Sequence, residues 1–158
     1  MSQRLDPKQA APAAISAMLA LQRHVNENGI DKKLQELVKI RASQINGCAY
    51  CLVLHADLAR RYGEAQARID LLPVWREAGD VYSPAERAAL AFGEAVTRIG
   101  EAGVPDAVYA EAARHFPPAQ MVELTLMIGV INTWNRLMAT FHVPPPPPSP
   151  TNAPAGAA

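Results

Sequence analysis

Cysteine and net charge are both scarce in this chain of 158 residues. It contains only two cysteines, which cannot build the disulfide framework that holds many small secreted domains together. The formal net charge is zero, from 15 Lys or Arg and 15 Asp or Glu residues, and no basic stripe is visible. These features argue against nucleic acid as the main partner.

The chain also lacks a long apolar run. Its longest stretch of apolar character, residues 124–131, is far shorter than the ~20 residues that a membrane-spanning helix needs. The N-terminal residues MSQRLDPKQ contain no apolar segment and no cleavage pattern of a secretory signal. We therefore expect a cytoplasmic protein with no membrane partner.

Strand patterns are absent as well, and helix signals are plentiful. No segment alternates convincingly between apolar and polar residues, so we predict an all-α fold. Asp31 is a good N-cap, Asn46-Gly47 predicts a break between two helices, and Ser83-Pro84-Ala85-Glu86 has the pattern of a capping box. We predict one helical domain over residues 12–143. A flexible arm at 1–11 and a disordered, proline-rich tail at 144–158 would flank it.

The last predicted helix, about residues 119–141, has an unusual composition. Residues 124–131 are apolar on every side, which predicts burial in a core or a subunit interface. Trp134-Asn135-Arg136 then place an amide and a cation on the same helix, and such groups need partners when buried. From the sequence they mark either a subunit contact or a wall of a site.

The residues best suited to chemistry lie between positions 36 and 55. On a helix that begins at Gly47 or Cys48, the Cα atoms of Cys48 and Cys51 would be roughly 5 Å apart, which is within the range that a disulfide needs. A helix N-terminus favours a thiolate, and His55, one turn after Cys51, can accept or stabilise its proton. Two cysteines, an imidazole and a carboxylate are the parts of a dithiol redox centre.

Glu36 supplies the carboxylate if the two helices form an antiparallel hairpin. Counted at 1.5 Å per residue, Glu36 and His55 lie roughly 15 and 12 Å from the turn, within about one helical turn of each other. A solvated surface glutamate is the alternative. Tyr50 lies between the cysteines and either closes over the site or packs against a neighbour.

Four other interpretations of the cysteine pair are less favoured. Two cysteines acting as small buried hydrophobes would not require this spacing at a helix start. A structural zinc site normally pairs CxxC with a second CxxC or HxxxH, which is missing here. A thioredoxin-like motif would need a βαβ context, and c-type haem attachment would need a histidine directly after the second cysteine.

Glu36, the segment Cys48-Ala49-Tyr50-Cys51 and His55 together resemble the signature of the AhpD-like alkylhydroperoxidases of the carboxymuconolactone decarboxylase superfamily. The resemblance extends through residues 83–91 and 131–136 and covers roughly residues 12–143. It implies an all-helical, homo-oligomeric peroxidase, commonly a trimer or hexamer, that needs no metal or other cofactor. It also implies a hydroperoxide substrate and an external dithiol reductant, such as a lipoylated or thioredoxin-like protein.

The resemblance further implies roles for the individual residues. Cys51 would attack the peroxide, Cys48 would donate a proton and resolve the intermediate, and Glu36 and His55 would relay protons, with Tyr50 as a further site position. The helix dipole alone favours Cys48 as the more acidic thiol, whereas proximity to His55 favours Cys51. We expect Cys51 to be the nucleophile, because a specific base activates it. A redox-sensing or binding protein and a carboxymuconolactone decarboxylase-type lyase are the alternatives.

Overall fold

The structure, a computed structural model, describes residues 2–147 and confirms the all-α prediction for them. No β-strand occurs in this part of the chain. Two 3₁₀ turns, Leu72–Val74 and Gly79–Val81, lie in the connection before the sixth helix. The eight helices are α1 (Pro7–Ala10), α2 (Pro12–Asn26), α3 (Lys32–Ile45), α4 (Ala49–Arg61), α5 (Gln66–Leu71), α6 (Pro84–Thr97), α7 (Asp106–Ala113) and α8 (Pro118–Thr140).

Local capping sets the helix starts where the sequence predicts them. The side chain of Asp31 accepts a hydrogen bond from the backbone N–H of Leu34 at the start of α3. Ser83 and Glu86 form a complete capping box at the start of α6. Gly47 takes a φ of 65° between α3 and α4, a left-handed conformation that glycine adopts without steric cost. These interactions confirm the predicted caps and break.

Helix α3 lies at the centre of the fold and packs against α4, α6 and α8. The apolar segment of α8 is divided between the core and the surface. Leu124 and Ile128 are fully buried, whereas Leu126 is 39% exposed. The core therefore takes one face of this segment, and the other face remains at the surface of the single chain. The core side chains larger than alanine that have no exposure are Val25, Leu37, Leu72, Leu90, Leu124, Met127 and Ile128.

The N-terminal segment differs from the flexible arm that the sequence predicts. Asp6 caps the one-turn helix α1 by accepting a bond from the backbone N–H of Lys8. The backbone N–H of Arg4 donates to the Phe141 carbonyl at 2.9 Å, and its guanidinium donates to the Thr140 carbonyl. These tertiary bonds attach the segment to the end of α8, which local sequence patterns do not reveal. The predicted tail begins without regular structure at 144–147, and residues 148–158 lie outside the described residues.

A buried carboxylate ties the irregular connection to the helices. Glu94 accepts hydrogen bonds from Trp75 Nε1 at 3.0 Å and from Arg41 Nε at 2.6 Å. Its other oxygen is paired with Arg76 at 2.8 Å and with Arg98 at 3.2 Å. Burial alone would raise the pKa of Glu94, but the hydrogen bonds from Trp75 and the arginines outweigh it and lower that pKa to about 2. The ionised carboxylate therefore stabilises the fold.

We expect Glu94→Gln to remove this pH-dependent stabilisation. A lowering of the pKa from 4.5 to about 2 corresponds to about 3 kcal/mol at neutral pH. Because the folded-state pKa is depressed, the contribution is complete above pH 4.5 and is lost as the pH falls towards 2. Urea unfolding of both proteins across this range measures it, with the exposed Glu101→Gln as control. An equal stability difference at pH 7 and pH 3 would contradict the assignment.

Candidate active site

Cys48 serves as the N-cap of α4. Its backbone is extended, with φ −91° and ψ 96°, and its Sγ accepts the backbone N–H of Cys51 at 3.3 Å. A sulfur thus occupies the place that a serine or aspartate oxygen usually takes at a helix start. The helix begins at Ala49, just after the predicted start at Gly47 or Cys48, because Cys48 forms the cap itself. Its thiol therefore lies at the positive end of the helix dipole.

The two thiols are adjacent, unbonded and buried. The Sγ atoms of Cys48 and Cys51 lie 2.6 Å apart in a hydrogen-bonded contact, and the residues are 1% and 2% exposed. Apolar side chains of α3 and α8 pack around them, including Ala42, Ile131 and Met138. Only small movements separate this arrangement from a disulfide.

The pKa values of the two thiols are shifted in opposite directions. The hydrogen bond from the Cys51 side chain lowers the pKa of Cys48 to about 7 against the opposing effect of burial, with help from the Cys51 backbone N–H and the Asn135 side chain. The same contact, together with burial and the neighbouring negative charge, raises the pKa of Cys51. These opposite shifts make Cys48 the more acidic thiol of the pair, with Cys51 as its hydrogen-bond donor.

Glu36 and His55 are brought into direct contact by the antiparallel arrangement of α3 and α4. The Nδ1 of His55 lies 2.6 Å from Glu36 Oε2, and both residues are buried. Burial by itself raises the pKa of Glu36, but the hydrogen bonds and charges of His55 and Lys39 outweigh it, so the pKa lies below 4.5. An ionised Glu36 accepts the Nδ1–H and so orients the imidazole with Nε2 on its opposite side.

Lys39 completes the charge balance of this pair, and the sequence reasoning missed it. Its ammonium lies 2.8 Å from Glu36 Oε1, 3.1 Å from Asn26 Oδ1 and 3.4 Å from Gln35 Oε1. The residue is only 3% exposed. The sequence does contain one indication of this contact: Lys39 lies three residues after Glu36 and therefore on the same helix face.

A cavity of about 480 Å³ reaches these groups. Cys51, His55, Glu36 and Tyr50 line it, whereas Cys48 does not. Cys51 is therefore the sulfur that a ligand in the cavity meets first. Apolar side chains from four parts of the chain form much of the remaining wall: Ile15, Leu19, Leu54, Leu58, Trp134, Met138 and Val143.

The residues Trp134, Asn135 and Arg136 have three different environments. Trp134 lines the cavity, and its Nε1 donates to Gln22 Oε1 at 3.1 Å. Asn135 is fully buried beside the cysteines. Arg136 bonds to Asn132 one turn earlier on α8. Of these three residues Trp134 alone lines the cavity, which fits one of the two interpretations that the sequence leaves open.

The described residues hold neither a metal-binding cluster nor a membrane-spanning helix. Residues 2–147 contain no cluster of three or more His, Cys, Asp or Glu side chains placed to hold a metal ion. None of the helices in that range combines the length and the apolar character required to cross a membrane.

The fold and the site together define an AhpD-like protein, and the comparisons with known proteins confirm this class. The model of the carboxymuconolactone decarboxylase family matches residues 10–95, a segment that includes Glu36, both cysteines and His55. The chain therefore belongs to the carboxymuconolactone decarboxylase family, of which it is an AhpD-like member.

Individual relatives support this assignment. The uncharacterized protein YdfG of Bacillus subtilis (strain 168) is 41% identical over 137 residues, which span 87% of this chain and 92% of YdfG. A crystal structure from Agrobacterium tumefaciens, of a protein of unknown function proposed as the antioxidant defence protein AhpD, is 39% identical. It superposes with a TM-score of 0.89 over 92% of this chain and 99% of that one.

More distant structures share the fold alone. The debrominase Bmp8 has a TM-score of 0.77 at 23% identity, over 87% of this chain and 74% of its own. Its name shows that this fold also carries reactions other than peroxide reduction.

Proposed function

We propose that this protein is a thiol-dependent peroxidase that reduces organic hydroperoxides. One observation carries the proposal: two adjacent free thiols, of which Cys51 lines a cavity that the Glu36–His55 pair also lines. A thiolate, a nearby proton carrier and a cavity with a largely apolar wall suit the reduction of an organic peroxide by cysteine.

In the first step Cys51 is oxidised. Its proton passes to the Cys48 thiolate 2.6 Å away, and the Cys51 sulfur attacks the terminal peroxide oxygen. The S–O bond forms as the O–O bond breaks, and the departing alkoxide takes the proton from Cys48 to become an alcohol. The sulfur loses two electrons, the peroxide gains them, and Cys51 becomes a sulfenic acid.

In the second step Cys48 resolves this intermediate. Its thiolate attacks the Cys51 sulfur, so that the S–S bond forms and the S–O bond breaks. The departing hydroxide takes a proton that reaches it from solvent through His55, whose orientation Glu36 fixes, and leaves as water. An external dithiol, such as a lipoylated or thioredoxin-like protein, then reduces the disulfide by thiol–disulfide exchange.

We also propose that the protein works as a homo-oligomer, a trimer or a hexamer. The surface face of α8 supports this, since Val122 is 61% exposed and Leu126 is 39% exposed on the single chain. Association would remove these side chains from water. Sedimentation equilibrium at micromolar concentration should give at least three chains per particle, and a monomer would reject the proposal.

Steady-state turnover tests the proposed function. The reduced protein should consume an alkyl hydroperoxide catalytically with at least one dithiol from a panel of lipoylated and thioredoxin-like proteins, and should release the alcohol. A single stoichiometric oxidation that no dithiol reverses would instead favour a redox-sensing protein. Conversion of carboxymuconolactone without peroxide turnover would favour the lyase.

A further inference from the structure

The segment that precedes α2 forms part of the wall of the cavity that Cys51 lines. Four of its residues line this cavity: Gln3, Asp6, Pro7 and Lys8. Pro7 is buried and is the first residue of α1, a position that its fixed φ suits. Because its side chain is a ring closed onto the backbone, it cannot leave the cavity by a change of rotamer. This part of the wall therefore has a defined shape.

Arg4 attaches the segment to the C-terminal end of α8. Its backbone N–H donates to the Phe141 carbonyl at 2.9 Å, and its guanidinium Nη1 donates to the Thr140 carbonyl at 2.9 Å. Thr140 is the last residue of α8 and Phe141 is its C-cap, where carbonyls have no partner within the helix. The guanidinium also lies at the negative end of the helix dipole. Arg4 thus fixes where the residues after it lie.

The chain on the other side of this attachment lines the same cavity. Met138, Val143 and Pro144 are all lining residues, and the backbone N–H of Val143 donates to the Met138 carbonyl at 3.0 Å. Residues 3–8 and 143–144 lie outside the segment 10–95 that the family model matches, whereas Glu36, Cys51 and His55 lie inside it. This division is expected if the outer residues select the peroxide and the inner residues react with it.

We propose that residues 3–8, held in place by Arg4, are a specificity-determining wall of the active site. This N-terminal wall admits hydroperoxides with a narrow, unbranched alkyl group to Cys51 and excludes those with a branched or polycyclic group. The choice of peroxide rests on the function proposed above. The steric restriction itself does not, because it applies to any reagent that approaches Cys51 through the cavity.

Alkylation of the reduced protein measures this restriction without any peroxide. Arg4→Pro removes both bonds to α8, since proline has neither a guanidinium nor a backbone N–H, and Arg4→Ala removes only the guanidinium bond. The rates at Cys51 are measured by peptide mapping with N-ethylmaleimide and with a maleimide that carries a polycyclic dye. We expect the ratio of the dye rate to the small-reagent rate to rise about tenfold in Arg4→Pro, and less in Arg4→Ala.

Arg114→Ala is the matched control. It removes an arginine from the exposed surface, where Arg114 pairs with Glu111 at 3.1 Å, and leaves the N-terminal wall untouched. Its ratio of rates should equal that of the unaltered protein. The proposal is overturned by an equal rise in Arg114→Ala, or by an unchanged ratio in Arg4→Pro. Equal acceleration of both reagents in Arg4→Pro also overturns it, because the whole site rather than one wall would then have opened.

Peroxide specificity gives a second measurement. The ratio of kcat/KM for cumene hydroperoxide to that for pentyl hydroperoxide should rise in Arg4→Pro, in the same direction as the alkylation ratio. Active Arg4→Pro protein with the parent's preference would contradict the wall. Arg4→Ala, which keeps the backbone bond to Phe141, serves in both assays if the proline variant does not fold. Absence of turnover with every peroxide would reject the proposed peroxidase and leave the alkylation result to decide on the wall.

Discussion

Cys51→Ser should abolish peroxide consumption, whereas Cys48→Ser should leave an oxidised Cys51 that persists. The first variant loses the sulfur that lines the cavity, so we expect its rate with organic peroxide to fall on the order of 10³-fold or more. The second retains the attacking sulfur but has no resolving partner. Its sulfenic acid should accumulate and react with a dimedone-type probe, which mass spectrometry locates on Cys51.

The structure adds a specific expectation for Cys48→Ser. The Cys48 contact is the largest cause that raises the pKa of Cys51. Removal of Cys48 should therefore lower that pKa towards the value of an ordinary thiol, which a titration of the single remaining cysteine measures. The doubly substituted chain, without either thiol, is the control for background labelling. Adduct on Cys48 in Cys51→Ser, with none on Cys51 in Cys48→Ser, would reverse the two roles.

Glu36→Gln should weaken both the fold and the reaction. The substitution leaves the Lys39 ammonium and His55 Nδ1 buried without their anionic partner, from which they are 2.8 and 2.6 Å away. Breaking a buried ion pair by removing one partner costs about 3–5 kcal/mol, and we expect a loss of this size in urea unfolding at neutral pH. Turnover should fall as well, because the imidazole loses the acceptor that orients it.

The pH dependence of this loss has a definite sign. The pKa of Glu36 in the folded protein lies below 4.5, so its stabilisation is complete above that pH and disappears as the pH falls through the lowered value. The two proteins should therefore converge in stability under acidic conditions. Glu111→Gln is the matched control, since Glu111 pairs with Arg114 at the exposed surface and should contribute less than about 1 kcal/mol. Similar losses for both variants would contradict the buried pair.

The sequence was most informative where structure is determined locally. Caps at Asp31 and Ser83 depend on a few consecutive residues, and both are present. The spacing of Cys48 and Cys51 at a helix start also follows from local geometry. The Glu36–His55 contact could be anticipated because a short turn joins the two helices. In such a hairpin, residues at similar distances from the turn on the two helices lie close to each other.

Residues that depend on tertiary contacts could not be found this way. Lys39 is buried only because Asn26 of α2 and Glu36 surround it, whereas a lysine in isolation predicts an exposed side chain. The burial of Asn135 depends on its side-chain bonds to Ser43 of α3 and to Asn46 just after it. The attachment of Arg4 to Phe141 joins residues at opposite ends of the described chain.

The division of labour between the thiols also required the structure. Dipole and spacing arguments each favour a different cysteine, and both describe part of the arrangement. Cys48, the helix cap, has the lower pKa, and Cys51 lines the cavity. In the proposed reaction the acidic thiol is thus the base and resolver, and its neighbour is the nucleophile.

A single-turnover experiment tests the central claim most directly. One equivalent of an alkyl hydroperoxide is added to the reduced protein without oxygen, and both the protein mass and the organic product are measured. We expect one equivalent of the alcohol and a protein that has lost two hydrogen atoms, with peptide mapping placing a disulfide between Cys48 and Cys51. Unreacted peroxide beside two intact thiols would contradict it.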